Sequence, residues 1–208
     1  MNVRQRTFLT LYVPLWATWF RWGRGILSRT VNRFRGRLAG PNRYFESLDA
    51  FRAWWQNHTR WKSDPLQGII DIVASLEHAQ WQWAHKGIFE DDCDGLAFVA
   101  AHYLADFADD HQCHVVTLLL NPFEYPTLWE GLQLGAHVLC LFQHQGRWHV
   151  LSNTEIFDET WSTFEEALYQ NPYSAGHTIL WYRVDTVRRG KHNGHLPRIS
   201  KVNHVMEG

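Results

Sequence analysis

Cysteine is scarce in this sequence, and its spacing excludes two kinds of stabilised fold. The 208 residues contain three cysteines, Cys93, Cys113 and Cys140, and no two of them form a CxxC pair. Disulfide-stapled domains and zinc knuckles need several cysteines at characteristic spacings, so neither class is indicated. The chain is long enough to bury a hydrophobic core without crosslinks. The sequence is therefore compatible with a reducing compartment.

Long apolar runs are also missing. The clearest apolar segment, residues 8–20, has 13 residues, whereas a helix that crosses a bilayer needs about 20. Pro14 interrupts this segment, Arg21 and Arg24 follow at once, and no small-residue cleavage site is present, so it also makes a poor signal peptide. The sequence predicts a protein without a transmembrane helix, located in the cytoplasm or within a macromolecular or viral assembly.

Acidic residues are absent from the first 45 positions, which hold nine arginines. The rest of the chain holds the other 11 of the 20 Lys and Arg and all 21 Asp and Glu, a net charge of -10. Such asymmetry predicts an acidic partner for the arginine-rich segment. Three alternatives stay open: an arm packed on the protein body or on an assembly neighbour, a helix at a membrane surface, and, ranked last, a nucleic-acid contact.

Glycine and proline mark one boundary. The stretch "GRLAGP" at residues 36–41 is typical of a hinge. It predicts a basic, aromatic N-terminal arm over residues 1–42 and a main domain over residues 43–187. The basic, polar residues 188–208 then form a C-terminal tail.

The main domain changes its hydrophobic period part-way along. Apolar residues recur every three or four positions up to Phe107, which is typical of helices, and short β-branched or aromatic runs follow, which are typical of strands. Helices first and a largely antiparallel sheet afterwards indicate an α+β domain. The predicted helices begin at Ser47, beside Pro65 (ending at Gly87) and at Asp91 or Asp92, with a short one at 162–168; the predicted strands are 113–120, 136–143, 147–153 and 177–184.

Cys93 stands at the start of the third predicted helix, in "FEDDCDGLAFVAAHYLADF". Unpaired backbone N–H groups and the helix dipole favour a thiolate at that place. A nucleophilic thiolate also needs a base and a group that orients the base. The other two cysteines lie in strand-like runs, and we expect them to be inert core residues.

The base is expected on a β-hairpin. His137 opens one predicted strand, Ser152 and Asn153 end the next, and the residues "HQG" between them form a tight turn. Pairing Gln143 with Arg147 across this turn places Asn153 opposite His137, and then Ser152 points to the other face. Asn153 is therefore the expected orienting partner.

Three of these motifs together resemble a known family. "DDCDGLAFVAAHYL", then "AHVLCLF" with its His 44 residues after the Cys, then "GRWHVLSN" are similar to the bacterial transglutaminase-like cysteine peptidases. In that family a Cys flanked by acids opens a helix, a His begins a strand and an acid ends a Val-Leu-Asp-Asn-like run. The similarity covers about residues 80–155 and implies a papain-like fold.

The resemblance implies a role for each matching residue. Cys93 is the nucleophile and His137 the general base of an acyl-transfer reaction that hydrolyses a peptide or isopeptide bond in a protein or peptide substrate. At the family's acid this chain has Ser152, which cannot stabilise an imidazolium by charge, so either Asn153 orients His137 or the site has decayed. A catalytically inactive fold that acts as a structural component of a larger phage or bacterial assembly is the alternative.

This chemistry requires no cofactor, but the resemblance points to one metal ion, calcium. In the periplasmic branch of the family, acids at the positions of Asp92 and Asp94 bind calcium, and carboxylate oxygens are suitable ligands for it. The simpler expectation is that Asp92 caps the helix and Asp94 is solvated. Trp81 and Trp83 are expected in one wall of the cleft, with Gln80 or Gln82 as an oxyanion donor.

Overall fold

The computed structural model describes residues 3–38, 43–63, 73–187 and 200–204, the last of these as backbone only. The predicted boundary near residue 42 and most of the predicted C-terminal tail lie outside the described residues. Within the described ranges the helices are α1 (Val3–Thr18), α2 (Arg24–Asn32), α3 (Leu48–His58), α4 (Leu76–Lys86), α5 (Cys93–Leu104), α6 (Leu128–Leu134) and α7 (Phe164–Gln170).

The strands form one large sheet and one small one. The large sheet is antiparallel, with the order β6-β5-β4-β3-β7-β8, and the small one pairs β1 with β2 in parallel. This arrangement confirms the α+β prediction. The strands are β1 (Thr59–Trp61), β2 (Phe89–Asp91), β3 (Cys113–Leu120), β4 (Ala136–His144), β5 (Arg147–Ser152), β6 (Glu155–Ile156), β7 (Ile179–Thr186) and β8 (Ser200–His204).

The N-terminal arm is helical and packs on the body. A π-helical turn, Trp19–Gly23, joins α1 to α2. Phe20 in this turn stacks on Trp181 of β7 at 5.8 Å between ring centroids, and its carbonyl accepts a hydrogen bond from Arg183 at 2.9 Å. The inner side of the arm therefore matches the first of the three alternatives. None of the helices described is both long and apolar enough to cross a membrane.

Local signals explain most helix boundaries in the main domain. Ser47 caps α3 by accepting from the backbone N–H of Ala50, as expected. The start predicted beside Pro65 lies outside the described residues, and the described helix α4 begins at Leu76, where the extended Ser75 caps it. Gly87 ends α4 with φ +73°, a left-handed conformation that glycine adopts without steric cost.

Alternating side chains of the large sheet give it two buried faces. Val138 and Cys140 of β4 lie in the core with α5, whereas Leu139 and Leu141 lie in the core with α7. The arm covers the rest of the α5 side, where Leu119 joins a third cluster with side chains of α1 and the π-helical turn. Helices α5 and α7 and the arm therefore all pack around β4.

Candidate active site

Cys93 is the first residue of α5 and is partly exposed. Asp92 is the N-cap, and its Oδ1 accepts from the backbone N–H groups of Asp94 and Gly95, which confirms the expected cap. Gly95 has to be glycine, since a Cβ there would lie 2.5 Å from the carboxylate of Asp91. The sulfur of Cys93 therefore lies at the N-terminus of α5, where Asp92 caps the helix and Gly95 lies close to Asp91.

His137 makes its side-chain hydrogen bond with Ser152. The distance from Nε2 to Oγ is 2.9 Å, and both residues are largely buried, with 7% and 9% of their surface exposed. The predicted register was wrong by one residue. Gln145 and Gly146 form a two-residue turn with φ of 52° and 74°, so that His144 pairs with Arg147 and Leu139 with Ser152.

The correct register exchanges the roles expected of Ser152 and Asn153. Directly opposite residues share a face, and His137 lies two positions before Leu139, so Ser152 shares the face of His137. Asn153 follows in a turn with φ 54°, where its carbonyl accepts from the indole N–H of Trp55 at 3.3 Å. The residue at the place of the family's acid is thus the one that contacts the imidazole.

Tyr173 completes the site and was not found from the sequence. Its ring stacks on His137 with 3.9 Å between centroids, and its hydroxyl donates to the carbonyl of Leu134. Burial raises the pKa of Tyr173, and the nearby Cys93 raises it further. Tyr173 therefore lies beside both His137 and Cys93. His137 itself contacts Ser152 and Tyr173 on the α7 face of the sheet, whereas Cys93 packs on the α5 face, and no direct contact joins Cys93 to His137 among the described residues.

The turn that follows α7 holds Tyr173 in place. The side chain of Asn171, which is fully buried, accepts from the backbone N–H groups of Tyr173 and Ser174 and donates to two carbonyls of α7. Asparagine commonly organises turns in this way. Tyr173 lies 80 positions after Cys93 and outside the segment that resembles the family, so no local motif connected it to the site.

Burial keeps the imidazole neutral. It lowers the pKa of His137 from 6.5 to about 3, because a charged ring would lose its hydration without gaining a counter-charge. The hydroxyl of Ser152 fixes the ring through Nε2, which leaves Nδ1 as the other nitrogen able to exchange a proton. A ring whose pKa lies that low is a weak base at neutral pH.

Asp94 is paired with an arginine of the arm. Nη1 of Arg24 lies 3.4 Å from Oδ2 of Asp94, with side chains 9% and 3% exposed, and Nη2 donates to Oγ1 of Thr117 at 3.2 Å. The expectation that Asp94 is solvated is therefore wrong. The ion pair also concerns the calcium prediction. Asp92 caps the helix, and Asp94 faces a guanidinium. In the part of the chain described, no group of three potential metal ligands occurs. Calcium at Asp92 and Asp94 stays a prediction.

The remaining candidates near Cys93 have structural partners. The indole of Trp83 donates to the carbonyl of His58, and Trp81 stacks on His85 at 4.6 Å. Gln82 binds both backbone polar groups of Glu90 and so anchors β2 to α4. Burial raises the pKa of Tyr103 to about 12, and Arg43 and a hydrogen bond with Gln80 partly offset this rise.

Cys113 and Cys140 are core residues, as expected. Both are fully buried, with their sulfur atoms 3.9 Å apart, and burial raises the pKa of Cys140 well above its usual value. A cavity of about 210 Å³ lies elsewhere, lined among others by Tyr44 and Phe107. None of the residues that line it belongs to the predicted site.

Comparison with protein-family models, with curated proteins and with solved structures finds no match to this chain.

Proposed function

We propose that this chain is a papain-like, transglutaminase-like cysteine peptidase, in which Cys93 attacks a peptide or isopeptide bond of a protein substrate. The observation that carries the proposal is the hydrogen bond between Nε2 of His137 and Oγ of Ser152 at 2.9 Å. Ser152 stands where the family that the sequence resembles has its acid. The place of Cys93 at the start of α5 adds a terminus that favours a thiolate.

The chemistry follows from these groups. His137 takes the thiol proton as the sulfur of Cys93 bonds to the carbonyl carbon, and it returns the proton to the amine that leaves. Water then cleaves the thioester with His137 as base, and an amine in place of water gives transfer instead. Ser152 orients the ring but supplies no charge. We expect a slow enzyme, because replacing a triad Asp by Asn costs about 10⁴ in rate.

The test is the alkylation rate of Cys93 as a function of pH, measured by mass spectrometry after iodoacetamide treatment. An activated thiol reacts faster than glutathione at pH 7, and His137→Gln lowers its rate by about tenfold or more. Cys93→Ala gives the background labelling of the chain, and circular dichroism establishes that His137→Gln is folded. A Cys93 no faster than glutathione and indifferent to His137→Gln contradicts the proposal.

A second function is favoured by one observation. Tyr173 stacks on an imidazole that is only 7% exposed, so a substrate has little access to His137. A fold of this kind without activity would serve as a structural component of a larger assembly. Ordinary alkylation kinetics in the experiment above, together with no cleavage of protein substrates, favours this function.

A further inference from the structure

The outer side of the N-terminal arm is exposed along its whole length. Residues 3–32 form one helical rod through α1, the π-helical turn and α2, about 45 Å long at 1.5 Å per residue. Its inner side is fixed on the body by Phe20 and Arg24 and by Asn32, which donates to the carbonyl of Val73 at 2.8 Å. The outer side is therefore presented in one orientation.

Large apolar side chains line that outer side. Leu11, Leu15, Trp22 and Ile26 are exposed by 73%, 71%, 66% and 57%. Their exposure places all four on the side of the arm that faces away from the body, two in α1 and two within or after the π-helical turn, and we call this set the stripe. Several large exposed apolar side chains on one side of an element indicate an interaction site.

Arginines stand at both ends of this stripe. Arg4 lies seven residues before Leu11, and Arg29 and Arg33 follow Ile26 by three and seven residues; all three are exposed. None of them joins an ion pair with another described residue. No Asp or Glu occurs in the first 45 residues, so the face is apolar in the middle and positively charged at its ends.

We propose that this face docks on an anionic lipid bilayer and lies in its interface. Leu11, Leu15, Trp22 and Ile26 enter the boundary between headgroups and acyl chains, and the long arginine side chains reach lipid phosphates. A nucleic acid would match the arginines but leave the apolar stripe in water. A helical arm whose inner side is held on a folded body suits an extended surface, and this docking is independent of the chemistry at Cys93.

The test is cosedimentation of the full chain with vesicles. Vesicles of phosphatidylcholine containing about 30 mol % phosphatidylglycerol bind the protein, phosphatidylcholine alone binds it more weakly, and raising the salt concentration from about 0.1 M to about 0.5 M lowers binding. Arg29→Glu combined with Arg33→Glu removes the preference for anionic vesicles. Trp22→Glu and Leu15→Glu each lower the affinity by about tenfold or more.

Trp129→Glu is the matched control, because Trp129 of α6 is exposed by 65%, close to the 66% of Trp22. It leaves vesicle binding unchanged if the stripe is the docking surface. Equal effects of Trp22→Glu and Trp129→Glu overturn the proposal, as does a lack of binding to anionic vesicles. Binding to duplex DNA or to an acidic polypeptide that exceeds vesicle binding and survives Trp22→Glu also overturns it.

Discussion

At the scale of single residues, the site depends on one hydroxyl where a carboxylate is expected. Ser152 fixes the imidazole of His137 without a charge to stabilise its protonated form. Burial then dominates and lowers the pKa of His137 to about 3. An Asp at this position would both orient the imidazole and raise its pKa, whereas Ser152 only orients it.

Substitutions of Ser152 test that separation. Ser152→Asp raises the pKa of His137, because a neighbouring carboxylate favours the charged ring, and so increases the alkylation rate of Cys93 at neutral pH. Ser152→Ala lowers that rate by leaving the ring without its partner. NMR titration of His137 and iodoacetamide kinetics measure the two effects.

The control is Asn153→Gly. It keeps the positive φ at that position and removes a side chain whose Oδ1 has no hydrogen-bond partner among the described residues. Its rate should equal that of the unsubstituted chain. A loss of reactivity in Asn153→Gly with none in Ser152→Ala would restore Asn153 as the orienting residue.

The helix that starts at Cys93 and the strand that holds His137 could be predicted because each stands in a short local pattern, whereas the catalytic roles of these residues stay predictions. The assignment to Asn153 failed because a one-residue change in hairpin register exchanges the faces of a strand, and the turn type decides that register. Tyr173 was out of reach, since only the folding of α7 onto the sheet brings it to His137.

At the scale of elements, one buried ion pair ties the arm to the start of α5. Arg24 of α2 meets Asp94 and Thr117, so the first turn of the Cys93 helix contacts a segment 70 positions earlier. Buried charges of this kind are costly when one partner is removed, because the other remains desolvated. The pair makes the position of α5 depend on the arm.

Arg24→Ala is expected to lower the free energy of unfolding by about 3–5 kcal/mol. Arg60→Ala is the matched control, since Arg60 pairs with Glu90 at 3.5 Å with 67% of its side chain exposed, and such pairs contribute about 0–1 kcal/mol. Urea unfolding curves measure both. Similar losses in the two variants would show that the arm is not anchored through Arg24.

Elements with complete local signals could be predicted, and elements without them could not. Thr163 and Glu166 form a capping box for α7, and the helix was found. The helix α1 continues through Pro14, because its packing on the sheet outweighs the hydrogen bond that proline removes. The strand β8 lies in a polar segment and is defined by its pairing with β7. No local sequence pattern predicts that pairing.

At the scale of the whole molecule, burial or partial burial lowers the pKa of several histidines. Burial lowers the pKa of His102 and His114 from 6.5 to about 4 and that of His137 to about 3. The Nε2 atom of His102 is buried without a hydrogen bond among the described residues. These rings all oppose protonation of the folded state.

Stability should therefore fall in mild acid. Below about pH 6.5 the unfolded chain binds protons that the folded chain excludes, so stability is complete above that pH and is lost as the pH falls toward 4. Each buried ring contributes about 1.4 kcal/mol per pH unit. Urea unfolding at pH 7.5, 6 and 5 measures the slope, and His102→Phe should reduce it by one ring's share. An unchanged slope in His102→Phe would contradict the pKa of that ring.

The contact between the arm and β7 has a consequence for how the chain reaches this fold. Arg183 and the carbonyl of Phe20 are separated by 163 positions. The arm therefore leaves the ribosome long before β7, on which its inner side packs, has been made. Contacts between distant parts of a chain form late and slowly. During synthesis both sides of the arm are uncovered, so its aromatic inner side stays exposed until β7 has been made.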